Sequence, residues 1–265
     1  MGRGTDGGPE DSAVAVIIAA KDEELRVGPT VEAARSLPGV DLVLVVDDGS
    51  TDRTGVLARE AGARVVRHPR NRGKGTAMET GADAVAEVEA REDRVGLVPR
   101  HLLFLDADLG ETAAGAAPLL EPVVDKTADM SIALFPATRA RLGGHGFVVR
   151  LARGGVRRAT GWEPEQPLNG QRCLSRAAFE TARPLARGFG VETGLTIDVL
   201  RAGLRVVEVE VPLEHRATGA DLSAQLHRAH QFTDVARALA VRGVGPAARR
   251  ALARTGLRRR ARSAY

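Results

Sequence analysis

LLFLDADLGE, residues 102–111, is the stretch on which the fold turns. Four apolar residues run straight into Asp106, one small spacer and Asp108. A run this apolar belongs to a strand buried on both faces. Alternate residues of an extended segment point the same way, so D-x-D aims two carboxylates at one place. Two readings stand open at this point. The pair offers hard oxygen ligands to Mg²⁺ or Mn²⁺, or an aspartate caps a helix over ETAAGAAPLLEP (111–122).

The same pattern repeats to either side. VAVIIA (14–19), LVLVV (42–46), ARVVR (63–67) and MSIALF (130–135) are further apolar runs, and amphipathic stretches lie near 26–37, 52–61, 74–90 and 113–125. Strand–helix alternation predicts a mostly parallel α/β sheet with helices on both faces. In such a sheet ligands bind beyond the carboxyl ends of the strands. AKDEE follows the first run, DDGSTDRT the second and DADLGE the fourth. Carboxylates gathered at one edge repel, and a cation or hydrogen-bond donors relieve them.

In DDGSTDRT, Gly49 and Ser50 form a turn and Ser50 or Thr51 caps the next helix. Asp47 and Asp48 are left over, one of them free to accept from a nucleobase imide or a ribose hydroxyl. HPRNRGKGTAMETG (68–81) supplies positive charge, with Lys74 between glycines at a helix start, where free N–H groups attract anions. Its spacing is not that of a P-loop, and AAKDEE lacks the G-x-G-x-x-G of a dinucleotide site, which argues against a dehydrogenase.

The chain has 265 residues, 43% hydrophobic and 3% aromatic, so aliphatic packing must form the core. One cysteine, Cys173, excludes an internal disulfide framework and fits a reducing compartment. The start, MGRGTDGGPEDS, reads as a flexible segment (1–12), neither signal peptide nor anchor. No apolar run approaches the roughly 18 residues of a membrane span. The net charge of +4 belongs to the tail. Residues 241–265 hold eight of the 38 basic residues and no acid, leaving 30 basic against 34 acidic in the body. Too few aromatics stack bases for nucleic-acid binding to be expected.

Regularity breaks at 136–172, where RLGGHG and RGGVRRATGWEPEQPLNG have loop composition. AAFETAR and VETGLTIDVLRAG then read as helices, RVVEVEVPL as a strand and 220–240 as a helix. The expected organisation is a body over 13–240, divided at 135/136, and a basic tail over 241–265.

AAKDEE, VVDDGSTDRT, NRGKGTA and DADLGE, in this order, resemble the nucleotide-sugar half of family 2-type glycosyltransferases with the GT-A fold, over about residues 13–135. The resemblance implies a nucleotide-sugar donor held by Ala20, Glu23, Asp48, Ser50, Lys74 and Asp106, and a divalent metal, Mg²⁺ or Mn²⁺, on Asp108. Lys21-Asp22 stands where the family often has Tyr-Asn. GFGVETGLTIDVL (188–200) and VEVPLEHRATG (209–219) are similar to glucosyl-3-phosphoglycerate synthases and, more loosely, to polyprenyl-phosphate glycosyltransferases. That narrower likeness implies His215 as a second metal ligand. It leaves Glu192 either a favourable helix-dipole charge or a contact to sugar or acceptor. Asp106, Asp108 and Glu192 are the catalytic candidates. Arg139 and Asn169, with Arg141, Arg157 and Arg158, are the acceptor-side ones; His227 and His230 read as solvated helix positions.

The implied reaction is metal-dependent transfer of a hexosyl group, glucose from UDP-glucose, to a small phosphorylated acceptor such as 3-phosphoglycerate. One alternative is a lipid-phosphate acceptor reached when the basic tail lies on anionic lipid. A nucleotide-sugar-binding protein without catalysis is the other. A cytoplasmic location follows, with peripheral contact at the inner membrane surface under the lipid reading. Stereochemistry and oligomeric state, a dimer included, stay open.

Overall fold

The structure is a computed structural model that describes residues 13–92, 98–135, 146–213 and 222–244. Strand β1 (Val14–Ala20) shows how the core is organised. Val14, Val16, Ile18 and Ala20 enter one apolar cluster, while Ala15 and Ile17 enter another on the opposite face. A strand covered on both faces has no polar side to show, hence the unbroken apolar run. Each fully buried Ile or Leu of this kind contributes about 1.5–3 kcal/mol.

One layer holds α1 (Val27–Arg35), α2 (Thr54–Glu60), a 3₁₀ segment (Gly110–Leu119) and α4 (Glu121–Val124). The other holds α3 (Lys74–Arg91), α6 (Arg176–Thr181) and α7 (Val191–Arg201). The strands are β1, β2 (Val40–Asp47), β3 (Arg64–Arg67), β4 (His101–Asp106), β5 (Met130–Leu134), β6 (Arg172–Leu174) and β7 (Val206–Glu210). They form a seven-stranded sheet in the order β3-β2-β1-β4-β6-β5-β7. All pairings are parallel except those of β6, which runs antiparallel to β4 and β5. The register sets Ala20 beside Asp47 and Ala19 beside Asp106, so the acidic segments share the carboxyl edge. Because β6 is reversed, the chain enters it at that edge too.

Helix α3 lies close on β1. At Gly81 an added Cβ would collide with the Ile17 side chain, so only glycine lets the helix settle there.

Two expectations are corrected. The 136–172 stretch is not all loop: Phe147–Thr160 forms α5, whose Val148, Ala152 and Val156 pack with Ile197 of α7 and with Val235 and Leu239 of α8 (Leu222–Val241). Three residues of strand, β6, then follow. The helix expected over 113–125 is mostly 3₁₀, with Pro118 inside it, and turns α-helical only at Glu121–Val124. Among the described residues no helix is long and apolar enough to cross a membrane.

Candidate active site

The ends of β1 and β2 are laced together. The Ala20 carbonyl accepts from the Asp48 N–H at 2.8 Å, and the Ser50 hydroxyl accepts from the Asp22 N–H at 3.0 Å. Thr54 Oγ1 accepts from the Glu23 N–H at 2.8 Å. Asp22 pairs with Lys21 and accepts from the Thr51 N–H; the Lys21 ammonium first, then that N–H, holds its carboxyl down at about 2. Neither Ser50 nor Thr51 caps the helix that follows, whose N-cap, Arg53, makes no side-chain cap bond; the Asp52 carboxylate takes the Thr54 N–H at 2.9 Å. Asp47 is fully buried and accepts from the Ser50 N–H at 2.8 Å, closing the turn.

Asp48 pins the basic glycine-rich segment over the end of β2. Its Oδ1 accepts from the Arg72 N–H at 2.8 Å and lies 2.7 Å from His68 Nδ1; its Oδ2 accepts from the Gly73 N–H at 2.8 Å. A carboxylate only accepts, so His68 Nδ1 carries the proton. Nε2 of the same ring lies 3.0 Å from Thr80 Oγ1. A carboxylate has about four lone-pair positions, so among the described residues Asp48 keeps one for a ligand.

Lys74, the first residue of α3, lies next to this anchor. Its Nζ is 2.6 Å from Asp106 Oδ1 and 3.1 Å from Glu192 Oε1. Burial alone would lower its pKa, but the two carboxylates outweigh it and hold the ammonium above its usual range. Glu192 stands in the first turn of α7 and is 8% exposed. Gln171 Nε2 donates to the other Asp106 oxygen at 2.8 Å. Gly170 brings its backbone against this group, and a Cβ there would strike Lys74 Nζ.

Beside Gln171, Arg172 is wholly buried. Its guanidinium donates to the carbonyls of Asn169 (2.8 Å), Glu192 (2.9 Å) and Pro167 (3.4 Å) and to Thr196 Oγ1 (2.7 Å). Burial pushes its pKa down to about 10, against the Glu192 and Glu208 carboxylates, so it stays charged near neutral pH.

Asp108 is set apart. It is half-buried, and its carboxylate has no hydrogen bond or ion pair among the described residues; only its carbonyl is used, accepting from Arg26. It does not cap the following 3₁₀ segment, which has no side-chain cap. No group of three or more His, Cys, Asp or Glu placed to hold a metal occurs among the described residues. Mg²⁺ and its like need only one or two protein carboxylates when substrate phosphates complete the shell. A half-buried, uncommitted carboxylate two residues from Asp106 fits that demand.

Of the expected site residues, Ala20, Glu23, Asp48, Ser50, Lys74, Asp106, Asp108 and Glu192 gather at the carboxyl edge. Asn169 does too, though its side chain serves its own loop, donating to the Ala133 carbonyl at 2.7 Å and accepting from the Gln171 N–H at 3.0 Å. Arg157 and Arg158 are exposed on α5, and His230 is exposed on α8. Arg139, Arg141, His215 and residues 245–265 of the tail lie outside the described residues. Sequence reading missed His68, Gln171 and Arg172. Only Arg172 left a trace, as a charge opening the apolar pair Cys173-Leu174.

Known proteins resemble the chain in sequence and in fold. A model of glycosyl transferase family 2 matches residues 15–145. Glycosyltransferase AglJ of Haloferax volcanii is 28% identical over 80% of this chain and 67% of its own length. Glucosyl-3-phosphoglycerate synthase of Mycolicibacterium paratuberculosis is 31% identical over 77% of this chain, which spans 65% of that relative's length. The solved synthase of Mycobacterium tuberculosis with Mg²⁺ and UDP superposes with a TM-score of 0.68 at 25% identity, covering 89% of this chain and 81% of that one. Its complex with Mn²⁺, UDP-glucose and glycerol 3-phosphate gives 0.65 at 26%, covering 89% and 82%.

Proposed function

Residues 15–145 belong to glycosyl transferase family 2 and the chain is a glycosyltransferase of the GT-A fold; from that premise we propose that it moves glucose from UDP-glucose to a small phosphorylated acceptor such as 3-phosphoglycerate. The observation that carries this reading is the uncommitted Asp108 carboxylate beside the Lys74–Asp106–Glu192 group at the carboxyl edge. The named complexes of the mycobacterial synthase support the choice of donor and acceptor class.

Asp108 is the residue we assign to a divalent metal, with His215 as its expected companion. A bound divalent cation supplies Lewis-acid stabilisation of charge on a leaving diphosphate. The chain's own residues do the rest. Asp48 and its remaining lone pair, with Ser50 and the backbone near Ala20 and Glu23, hold the nucleoside. Lys74, fixed in its charged form, faces the growing negative charge of the leaving group. Asp106 and Glu192 lie where positive character develops on the sugar ring. Asn169 and Arg139 are assigned to the acceptor side. The body over 13–240, divided at 135/136, is taken as the unit that does this, in the cytoplasm.

Thermal shift with a panel of nucleoside diphosphates and Mg²⁺ or Mn²⁺, then assay of diphosphate release, tests the reading. UDP at a hundredfold excess over its dissociation constant should stabilise by about 2.7 kcal/mol. No stabilisation by any nucleotide sinks the proposal. Parallel assays with 3-phosphoglycerate and with a polyprenyl phosphate decide the acceptor, and turnover of the lipid alone would overturn the small-molecule assignment.

A further inference from the structure

We propose that Arg172 is a positioning residue of the active site: it sets the separation of Glu192 from Asp106, and so keeps Lys74 locked between them. Its catalytic side rests on the glycosyl-transfer reading; its geometric side does not. The first observation is a cost. Arg172 is 0% exposed, and no carboxylate pairs with its guanidinium among the described residues. An ion buried that way is expensive, and for stability alone an apolar side chain of similar volume serves as well or better.

The second observation is where its donors go. Two acceptors, the carbonyls of Pro167 and Asn169, lie in the segment leading into β6. The other two, the Glu192 carbonyl and Thr196 Oγ1, lie in the first turns of α7. Thr196 also donates to the Glu192 carbonyl at 2.9 Å, so that carbonyl is held twice. The third observation is the neighbour. Successive residues of extended chain point to opposite sides, and Gln171, just ahead of β6, reaches Asp106 while Arg172, the first residue of β6, reaches α7. Two consecutive residues thus hold Asp106 by its carboxylate and Glu192 by its backbone carbonyl, and Lys74 closes the ring by contacting both carboxylates. If Arg172 is lost, the Glu192 carbonyl keeps only Thr196 of its own helix, the tie between α7 and the segment before β6 is gone, and the ring opens at its longer contact, 3.1 Å.

Lysine labelling reads this directly. Lys21, Lys74 and Lys126 are the chain's three lysines, so mass spectrometry can follow each one after brief exposure to an amine-reactive reagent. In folded Arg172→Gln the labelling rate of Lys74 should rise about tenfold, the worth of one charge-assisted hydrogen bond, with Lys21 and Lys126 unchanged as internal references. With UDP-glucose as donor, kcat should fall at least about tenfold while KM for the donor stays within about twofold. Arg172→Lys should lie between the two proteins on both readouts. Unchanged Lys74 labelling in folded Arg172→Gln overturns the proposal and leaves Arg172 a support of the fold. If Arg172→Gln does not fold, Arg172→Lys and Thr196→Val carry the same comparison. A smaller rise at Lys74 is expected in them, and no rise in either overturns it. A wild type that turns over no nucleotide sugar sinks the functional reading, yet the labelling result still decides whether Arg172 positions Lys74.

Discussion

The two edges of the sheet both carry buried charge, and they are wired differently. At the amino edge Arg100, 3% exposed, meets Asp41 at 2.8 and 2.9 Å and Glu92 at 2.7 Å, while Glu89 lies 3.2 Å from Arg176 and Arg64 pairs with Glu92. Basic and acidic groups match one for one. At the carboxyl edge one ammonium, Lys74, serves Asp106 and Glu192, and Asp108 has no partner among the described residues. Even with Arg172 counted, acids are in excess. The first network pairs its acids and bases within the protein, though Arg100 Nη1 and Arg176 Nε find no hydrogen-bond partner among the described residues. The second leaves a carboxylate over, the arrangement expected where a ligand binds.

The sharpest way to break this contrast is Asp108→Asn. It should lower metal-dependent kcat by about 10³-fold while moving stability by no more than about 0.5 kcal/mol; diphosphate release and a melting curve on one preparation report both. Full turnover in that variant would mean that the spare carboxylate is not the one the ligand needs. Arg100→Met should do the reverse. Asp41 and Glu92 would lose the guanidinium between them, and Glu89 and Glu92 would keep only Arg176 and Arg64 as cationic partners, costing about 2 kcal/mol by urea denaturation. A fully buried pair would lose more, but Asp41 and Glu92 side chains are 41% and 39% exposed. Its kcat should match wild type below the transition, and a kcat loss as large as that of Asp108→Asn would erase the distinction between the edges.

The smallest effect sharpens the amino edge. His101 is 5% exposed with neither ring nitrogen partnered among the described residues, and burial first, then Lys126, lowers its pKa. The folded state therefore keeps the ring neutral, while the unfolded chain takes up a proton near pH 6.5. Stability from this group is complete above that pH and declines as pH falls below it, by at most about 1.4 kcal/mol per unit. His101→Leu should flatten the slope of stability against pH between 7.5 and 5.5. Parallel slopes for the two proteins would refute the assignment.

Much of the sheet was legible because β1, β2, β4 and β5 are buried on both faces and so read as apolar runs of strand length. Strand β6 was not, since three residues give no period. Helix α5 was hidden by composition: Gly154, Gly155 and four arginines mask an apolar stripe at Val148, Ala152 and Val156 that has meaning only against α7 and α8. At the site, Asp106, Asp108 and Lys74 announced themselves through strand ends and flanking glycines. Their pairing did not, because Lys74 meets Asp106 32 residues on and Gln171 meets Asp106 across 65. His68 looked like one more polar residue until the fold set it under Asp48.

Helix α3 can also be viewed as a lever. Lys74 is its tip, and Gly81, seated on Ile17, is its fulcrum. The arm between them is about two turns, roughly 10 Å. A tilt of about 5° at the fulcrum would swing the ammonium by about 1 Å, and a misplacement of that size can cost on the order of 10²-fold in rate. The mechanical tolerance of the active site is therefore set in the middle of the core, where a single methyl group at Gly81 would act as a wedge without touching any ligand.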